Sequence, residues 1–401
     1  MRRRASGSTG VFLLTLSISI LLTGCGGSPR PTICLAPSTS PCSCGGPATS
    51  ACPADFIPLL YSTTTSNQIL GFSISSSRSL TALPSTTGPA NSESVTLNGN
   101  AMMFADNSTN AVDSVIADPV TGALTSVQGS PFSLGTPDGG PNSIMVGPYG
   151  YLYATEPNGT IVGLNTSSEI GSFGSALPNS PYPAGVSPSQ MAFAAQGDLG
   201  TFFLYASDPG DSSGGILAYS LDSSGSLTPI RGSPFPTLPN AKPSFVLFDS
   251  YYPSPGTQGP QFLLVSLTGI AKVAVFAIDS STGALTQVPG SPFAVGNGPN
   301  TLAADSANHV FVMNAADHTV SAFNLGSNGG LTAIGSPVSL GTASGGIALA
   351  SSYSSVELFV ADTTGSAIWT LNVDQTTGEL TLSDQVVRAL NPPLQLAFLG
   401  P

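Results

Sequence analysis

The chain has 401 residues, of which 41% are hydrophobic and only 7% charged, with 46 Gly, 35 Pro and a formal net charge of −12. An acidic surface repels other polyanions, so nucleic acid is excluded as a partner. The apolar residues fall in short runs, which excludes a disordered chain.

Arg2, Arg3 and Arg4 precede an apolar run from Val11 to Leu22 that is too short to span a bilayer as a helix. Leu22-Thr23-Gly24-Cys25 follows. This pattern resembles a bacterial lipoprotein signal peptide, an ordinary secretion signal being the alternative. The resemblance implies that residues 1–24 are removed and that Cys25 is lipidated. The chain would then be lipid-anchored in the cell envelope, the outer membrane favoured because Gly26, not Asp, follows the cysteine. More than one acyl chain makes such anchoring stable. Removal of the three arginines leaves 6 of the 9 basic residues against 21 acidic ones, a charge near −15. Residues 25–55, rich in Pro, Ser, Thr and Gly, read as a flexible tether. The even set Cys34, Cys42, Cys44 and Cys52 in an exported segment suggests two disulfides. A Cys42–Cys44 bond would be strained, so each is expected to pair with Cys34 or Cys52. The alternative, a Cys-only metal site, lacks the C-x₂-C spacing of zinc ribbons, and no metal or other cofactor is expected.

From residue 56 to residue 401 the chain repeats itself. Gly122-Ala-Leu-Thr125 leads to Gly129-Ser-Pro-Phe132, Gly225-Ser-Leu-Thr228 to Gly232-Ser-Pro-Phe235, and Gly283-Ala-Leu-Thr286 to Gly290-Ser-Pro-Phe293. Gly330-Leu-Thr332 leads to Gly335-Ser-Pro-Val338, and a degenerate unit ends in Asn179-Ser-Pro-Tyr182. Arg78-Ser-Leu-Thr81 and Gly378-Glu-Leu-Thr381 lack the tail, which makes seven units, with 45 to 58 residues between successive Ser-Pro tails. Units of this length suit four-stranded propeller blades. One cycle reads Asn300–Ala304 as inner strand A, His309–Asn314 as B, Thr319–Leu325 as C and Leu331–Ile334 as D. Turns such as Asp279-Ser-Ser-Thr-Gly283 connect C to D; Asp can bond the turn amides and Gly can take a positive φ. Leu394–Phe398 reads as an A strand without company, and residues 58–83 as B, C and D without an A. The expected fold is therefore an all-β, seven-bladed β-propeller closed by pairing the C-terminal strand with the N-terminal blade.

The repeats Asp-x-x-x-Gly-x-Leu-Thr and Gly-Ser-Pro-Phe resemble the lactonase-type β-propeller family, which includes 6-phosphogluconolactonases and YVTN-repeat proteins. That resemblance covers about residues 56–401 and implies hydrolysis of a sugar lactone at one mouth of the central channel. Where family members place a basic residue after the Pro that opens strand A, this chain has Pro141-Asn142, Pro188-Ser189, Pro243-Ser244, Pro299-Asn300 and Pro393-Leu394. A neutral lactone is therefore the expected substrate.

In a propeller, strand A begins and strand B ends at the same face. The expected ligand-binding residues there are Asp106, Asn142, Gln190, Asn300, Asn314, Asp362 and Gln395, with Ser244 nearby. Glu156, Asp208 and His318 are the expected catalytic groups, Glu156 as the base because Glu is a poor turn former. The competing interpretation is that these side chains satisfy the B–C hairpin turns. His309 opens a strand at the opposite face. No G-x-S-x-G elbow, i, i+4 His pair or D-x-D-x-D-G loop occurs, and Trp369 is the sole tryptophan. Two functions follow: a hydrolase of a neutral lactone, or a non-catalytic propeller binding a small neutral ligand or a surface protein. A monomer is expected, touching the membrane only through its lipid.

Overall fold

Strand B of nearly every repeat reads as an unbroken apolar run, and the reason lies in where it sits. Each blade is a small sheet wedged between two others, so both faces of its middle strands are covered. Leu59–Thr64, Ala101–Asp106 and His309–Asn314 are buried at every residue. The computed structural model describes residues 57–89, 92, 94–135, 139–166, 170–195, 202–253, 259–352 and 355–400. The signal segment, the tether and all five cysteines lie outside the described residues.

Residues 53–401 form one unit of seven antiparallel sheets. In blades 1 to 6 the inner strands A are Val95–Asn98, Ser143–Val146, Met191–Ala195, Pro243–Ser250, Pro299–Ala304 and Ile347–Ser352. Each is followed outward by its own B, C and D strands. Blade 7 takes its A strand, Pro393–Leu399, from the C-terminus and its B, C and D strands, Leu59–Thr64, Gln68–Ile74 and Leu80–Ala82, from the start of the repeats. The closing pair is antiparallel, with Leu60 opposite Phe398 and Ser62 opposite Leu396. Neighbouring inner strands touch all the way round, including blade 7 against blade 1, so the ring is shut. It is the seven-bladed propeller expected from the repeats.

The Gly-Ser-Pro-Phe tail adds a feature to the four-stranded plan. In four blades the chain turns at this motif and returns as a short fifth strand beside strand C, as Phe132–Ser133 does beside Ala111–Ala117, and blade 7 has a fifth strand, Thr86–Thr87, without the motif. The Ser hydroxyl accepts a hydrogen bond from a strand C amide that the interrupted D strand leaves open. Ser114 N–H donates to Ser130 Oγ at 2.9 Å, Gly163 to Ser180 at 2.9 Å, Ala218 to Ser233 at 2.9 Å and Val275 to Ser291 at 2.8 Å. The tail Gly has φ of 91°, 97° and 85° at Gly129, Gly232 and Gly290, and a Cβ there would lie 3.3 to 3.5 Å from the Phe ring that folds back over it. In blade 5 the tail ends in Val338, and strand D runs on as Leu331–Ser339, five residues longer than expected. The register shifts between Val320 and Ala322, passing over Gly335, Ser336 and Pro337, and pairing resumes at Val338.

Candidate functional site: the mouth of the ring

At the face where strands A begin, strands B of five blades end in Thr64, Asp106, Glu156, Asn314 and Asp362, and Asp208 directly follows Phe202–Ser207. These side chains are between 0 and 6% exposed. Most are bound into the local turn or into the connector entering the same blade. Asp106 Oδ1 accepts from Ser108 N–H at 2.9 Å, from its hydroxyl at 2.6 Å and from Thr109 N–H at 3.3 Å, while Oδ2 accepts the Thr109 hydroxyl. Burial raises its pKa, but those four hydrogen bonds together hold it below the ordinary carboxylate value. Asp208 accepts the amides of Val186, Ser187 and Gly210 at 2.8, 2.9 and 3.2 Å. Asp362 accepts the Thr342 hydroxyl, the Gly365 amide and the indole N–H of Trp369, the last at 3.0 Å. Asn314 donates to the hydroxyls of Thr319 and Ser321 at 3.1 and 2.8 Å. Glu156, fully buried, closes its turn through its carbonyl, which accepts from Gly159 N–H at 3.2 Å. His318 sits at φ 54° in the B–C turn of blade 5, and its Nδ1 donates to the Ala343 carbonyl at 3.0 Å, tying blade 5 to the connector that enters blade 6. His309, at the opposite face, is paired with Asp305 at 2.8 Å.

At three of the five opening Pro residues the side chain that follows plays a second structural part. Asn142 Nδ2 donates to the Pro188 carbonyl at 2.8 Å, Ser244 Oγ to Pro299 at 3.5 Å and Asn300 Nδ2 to Ser344 at 3.1 Å, each bond running from one blade to the next. Hydroxyls at the ends of strands B do the same: Thr63 to Ser92 at 2.7 Å, Thr155 to Ser189 at 2.8 Å and Thr363 to Pro393 at 2.7 Å.

One residue further along, the side chains form an arc of neutral polar groups. Ser94 Oγ lies 3.3 Å from Ser143 Oγ, which donates to Gln190 Oε1 at 3.2 Å, so blades 1, 2 and 3 are joined through three side chains. Gln395, in blade 7, holds its backbone N–H on Thr63 Oγ1 at 3.2 Å. Its amide covers Gly346, the corresponding residue of blade 6, where there is no side chain to meet it. Across blades 7, 1, 2 and 3 this register therefore reads Gln395, Ser94, Ser143, Gln190. Blade 4 puts Phe245 there and blade 5 Thr301. Asn300 Oδ1 is buried and has no partner among the described residues.

Of the expected site residues, Gln190 and Gln395 belong to this arc, and Asn142 and Asn300 stitch blades together beside it. Asp106, Asp208, Asn314, Asp362 and His318 are held in turns, and Glu156 lies buried at the end of its strand. Glu156, Asp208 and His318 come from three different blades, 2, 3 and 5. Among the described residues, no group of three or more His, Cys, Asp or Glu side chains could hold a metal ion. Ser94, Ser143 and Thr63 were not expected at the site. The signal for Ser143 was available, since it follows Asn142 in the register shared with Gln190 and Gln395. Ser94 carries no such signal, because blade 1 has no Pro before its inner strand.

Seven sheets around a closed ring, with a polar face where strands A begin and strands B end, define a seven-bladed β-propeller. Its type is lactonase-like: residues 257–398 match the family model described as "Lactonase, 7-bladed beta-propeller". Solved structures of the same fold include the periplasmic gluconolactonase of Pseudomonas aeruginosa (19% identity, TM-score 0.66, covering 85% of this chain and 98% of that one). Another is a Bacteroides fragilis protein provisionally assigned as a 6-phosphogluconolactonase (17% identity, TM-score 0.66, covering 87% and 99%). A third comes from Lactobacillus plantarum (17% identity, TM-score 0.64, covering 86% and 99%). A sequence comparison with curated proteins finds no match.

Proposed function

We propose that this lactonase-like propeller binds an uncharged, hydroxyl-rich small molecule of the sugar-lactone class at the mouth. The observation that carries the reading is the arc Gln395, Ser94, Ser143, Gln190, made of donors and acceptors without charge. Neutral amides and hydroxyls suit ligand hydroxyls and a lactone carbonyl, and they offer a phosphate no compensating charge.

Hydrolysis of the bound lactone is the second reading, favoured by one observation. Glu156 is a buried carboxyl next to Thr155, whose hydroxyl reaches the Ser189 carbonyl beside the arc. In that reaction Glu156 would take a proton from the attacking water, and the arc amides would hold the carbonyl. Lactone hydrolysis followed by pH-stat, for the mature chain and its Glu156→Gln variant, separates the two. A catalytic Glu156 lowers the rate by about 10²-fold or more on substitution. Equal rates for both proteins remove Glu156 from the mechanism, and no hydrolysis by either leaves the mouth as a binding site only.

We also propose that the propeller is displayed in the cell envelope on lipid at Cys25. The support is the sequence Leu22-Thr23-Gly24-Cys25 behind a basic, apolar leader. Labelled palmitate should enter the wild-type chain and not Cys25→Ala; equal labelling would contradict the anchor.

A further inference from the structure

The tyrosines sort by face. Among the described residues, Tyr61, Tyr153, Tyr182, Tyr205 and Tyr219 are buried. The four that reach the surface, Tyr149, Tyr151, Tyr251 and Tyr252, all lie where strands A end and strands B begin, opposite the mouth. Tyr149 is 42% exposed at φ 64°, a backbone conformation that costs free energy for any residue but glycine. Its ring stands edge-on to Phe202 at 5.5 Å and tilted to Tyr151 at 6.2 Å, so blades 2 and 3 share one aromatic cluster at the surface. On the same face Val120 and Ile170, in the C–D turns of blades 1 and 2, are also exposed. At the mouth face the exposed apolar side chains are aliphatic ones on separate connectors, Val186, Leu238 and Leu390.

The turns that carry these tyrosines keep their backbone paired. Gly147 N–H donates to the Tyr151 carbonyl at 2.8 Å, and Gly150 N–H to the Gly147 carbonyl at 3.1 Å. Tyr251 N–H donates to the Pro260 carbonyl at 2.9 Å, while the Asn308 amide holds Tyr252 by its N–H and its carbonyl, at 2.7 and 3.0 Å. Paired backbone is what entry into a poorly hydrated layer requires. Charge then selects the kind of layer. Of the Lys and Arg among the described residues, only Arg78 sits in a turn of this face, and it is paired with Glu357. Asp118, Asp222 and Asp279 stand in its C–D turns. Such a face repels anionic headgroups and tolerates neutral ones.

The chain also enters the ring here. Ile57 N–H donates to the Pro119 carbonyl at 3.2 Å, next to Val120. Residues 25–56, 32 in all, span at most roughly 110 Å. A lipid on Cys25 would hold the ring within that reach of a bilayer, where shallow contacts suffice to orient it. We infer that the face opposite the mouth is a membrane-docking surface. Tyr149, Tyr151, Phe202, Tyr251 and Tyr252 rest among the headgroups of a zwitterionic bilayer, and the mouth opens away from it. This rests on the Cys25 anchor for what brings the ring to the membrane, but not for which face docks.

The test therefore supplies an anchor of its own. The mature chain, with a histidine tag at its N-terminus, is held on phosphatidylcholine vesicles by a nickel-chelating lipid. Tyr149→Trp reports on the docking face and Leu390→Trp on the mouth face, each read against the wild type, whose emission comes from Trp369 alone. Dibrominated phosphatidylcholine should quench the added indole of Tyr149→Trp and leave that of Leu390→Trp unchanged. Tyr252→Trp repeats the reading from blade 4 should Tyr149→Trp fail to fold. Replacing half of the lipid by phosphatidylglycerol should weaken the quenching. Quenching as great at Leu390→Trp, none at either position, or stronger quenching on the anionic vesicles overturns the docking face. Quenching of Tyr149→Trp alone, in a chain whose Cys25 takes up no palmitate in cells, removes the natural anchor and still supports the face.

Discussion

Arg78 takes the place that glycine occupies in most of the C–D turns, with φ of 68° against 70° to 82° for Gly122, Gly225, Gly283, Gly329 and Gly378. Those glycines press against strand B of the preceding blade, for instance Gly283 on Phe203 and Gly378 on His309. At three seams a tyrosine hydroxyl also donates to the glycine carbonyl: Tyr61 to Gly122, Tyr153 to Gly225 and Tyr205 to Gly283, at 2.8 to 2.9 Å. The seam between blades 6 and 7 is built differently. Glu357, fully buried on strand B of blade 6, meets Arg78 Nε at 3.2 Å, and Arg78 also reaches Asn372 at 3.0 Å. Half-exposed as it is, the arginine is partly screened by solvent, yet its loss leaves a carboxylate in the interior. Arg78→Ala should therefore cost about 2 kcal/mol in urea denaturation, and adding Glu357→Leu should restore part of that. A double variant less stable than the single one would contradict the pairing.

At the scale of the strand and turn, the recurring motifs explain one another. In the Asp-x-x-x-Gly turns, Asp118, Asp279 and Asp374 accept the amides two and three residues on, and the Gly N–H returns to the Asp carbonyl at 2.7 to 2.8 Å. The Ser of the tail covers an open strand C amide. Ser233→Ala, which removes the acceptor for Ala218 N–H, should cost about 1 to 2 kcal/mol. The same change at Ser336, in the blade whose D strand does not break, should cost less. Equal costs at the two sites would mean that the hydroxyl has no special part in the tail.

These motifs are local, which is why the sequence shows them. Turn chemistry and apolar runs placed strands B and C of most blades, and the lone strand at Leu394–Phe398 pointed to the closing pair. The tyrosine contacts between blades join residues 61 to 78 positions apart, as Tyr205 with Gly283, and no short pattern announces them. The inner strands of blades 1 and 6 begin without a Pro, so Ser94 and Gly346 were not legible. Asp208 reads both as a catalyst and as a turn residue. Only the partners of Asp208, from a connector some 20 residues earlier, show how its carboxylate is held.

Across the whole molecule, titration should narrow the range of stability from both ends. Hydrogen bonds from the Ser281 hydroxyl, and then from turn amides, hold Asp279 down at about 2, and Asp118, Asp222 and Asp374 are also lowered. Their stabilisation is complete above the ordinary value of 3.8 and is lost as pH falls toward 2. Asp113, raised by burial and then by Asp106, works in the opposite direction. Burial pushes Tyr61 up to about 12 and raises Tyr153, Tyr205 and Tyr219 as well. Because the unfolded phenol ionises near 10, stability is full below that pH and falls as pH rises toward 12. Urea midpoints measured from pH 2 to 12 should be level through the neutral range and drop at both limits; a maximum at either limit would contradict these assignments.

The claim on which the functional reading rests is that the mouth recognises a ligand without charge. Titration calorimetry of the mature propeller with gluconolactam, an uncharged analogue that does not hydrolyse as a lactone does, and with its 6-phosphate tests it most directly. The neutral compound should bind at least about tenfold more tightly, a difference of about 1.4 kcal/mol. A phosphorylated compound that binds as well or better would contradict the account.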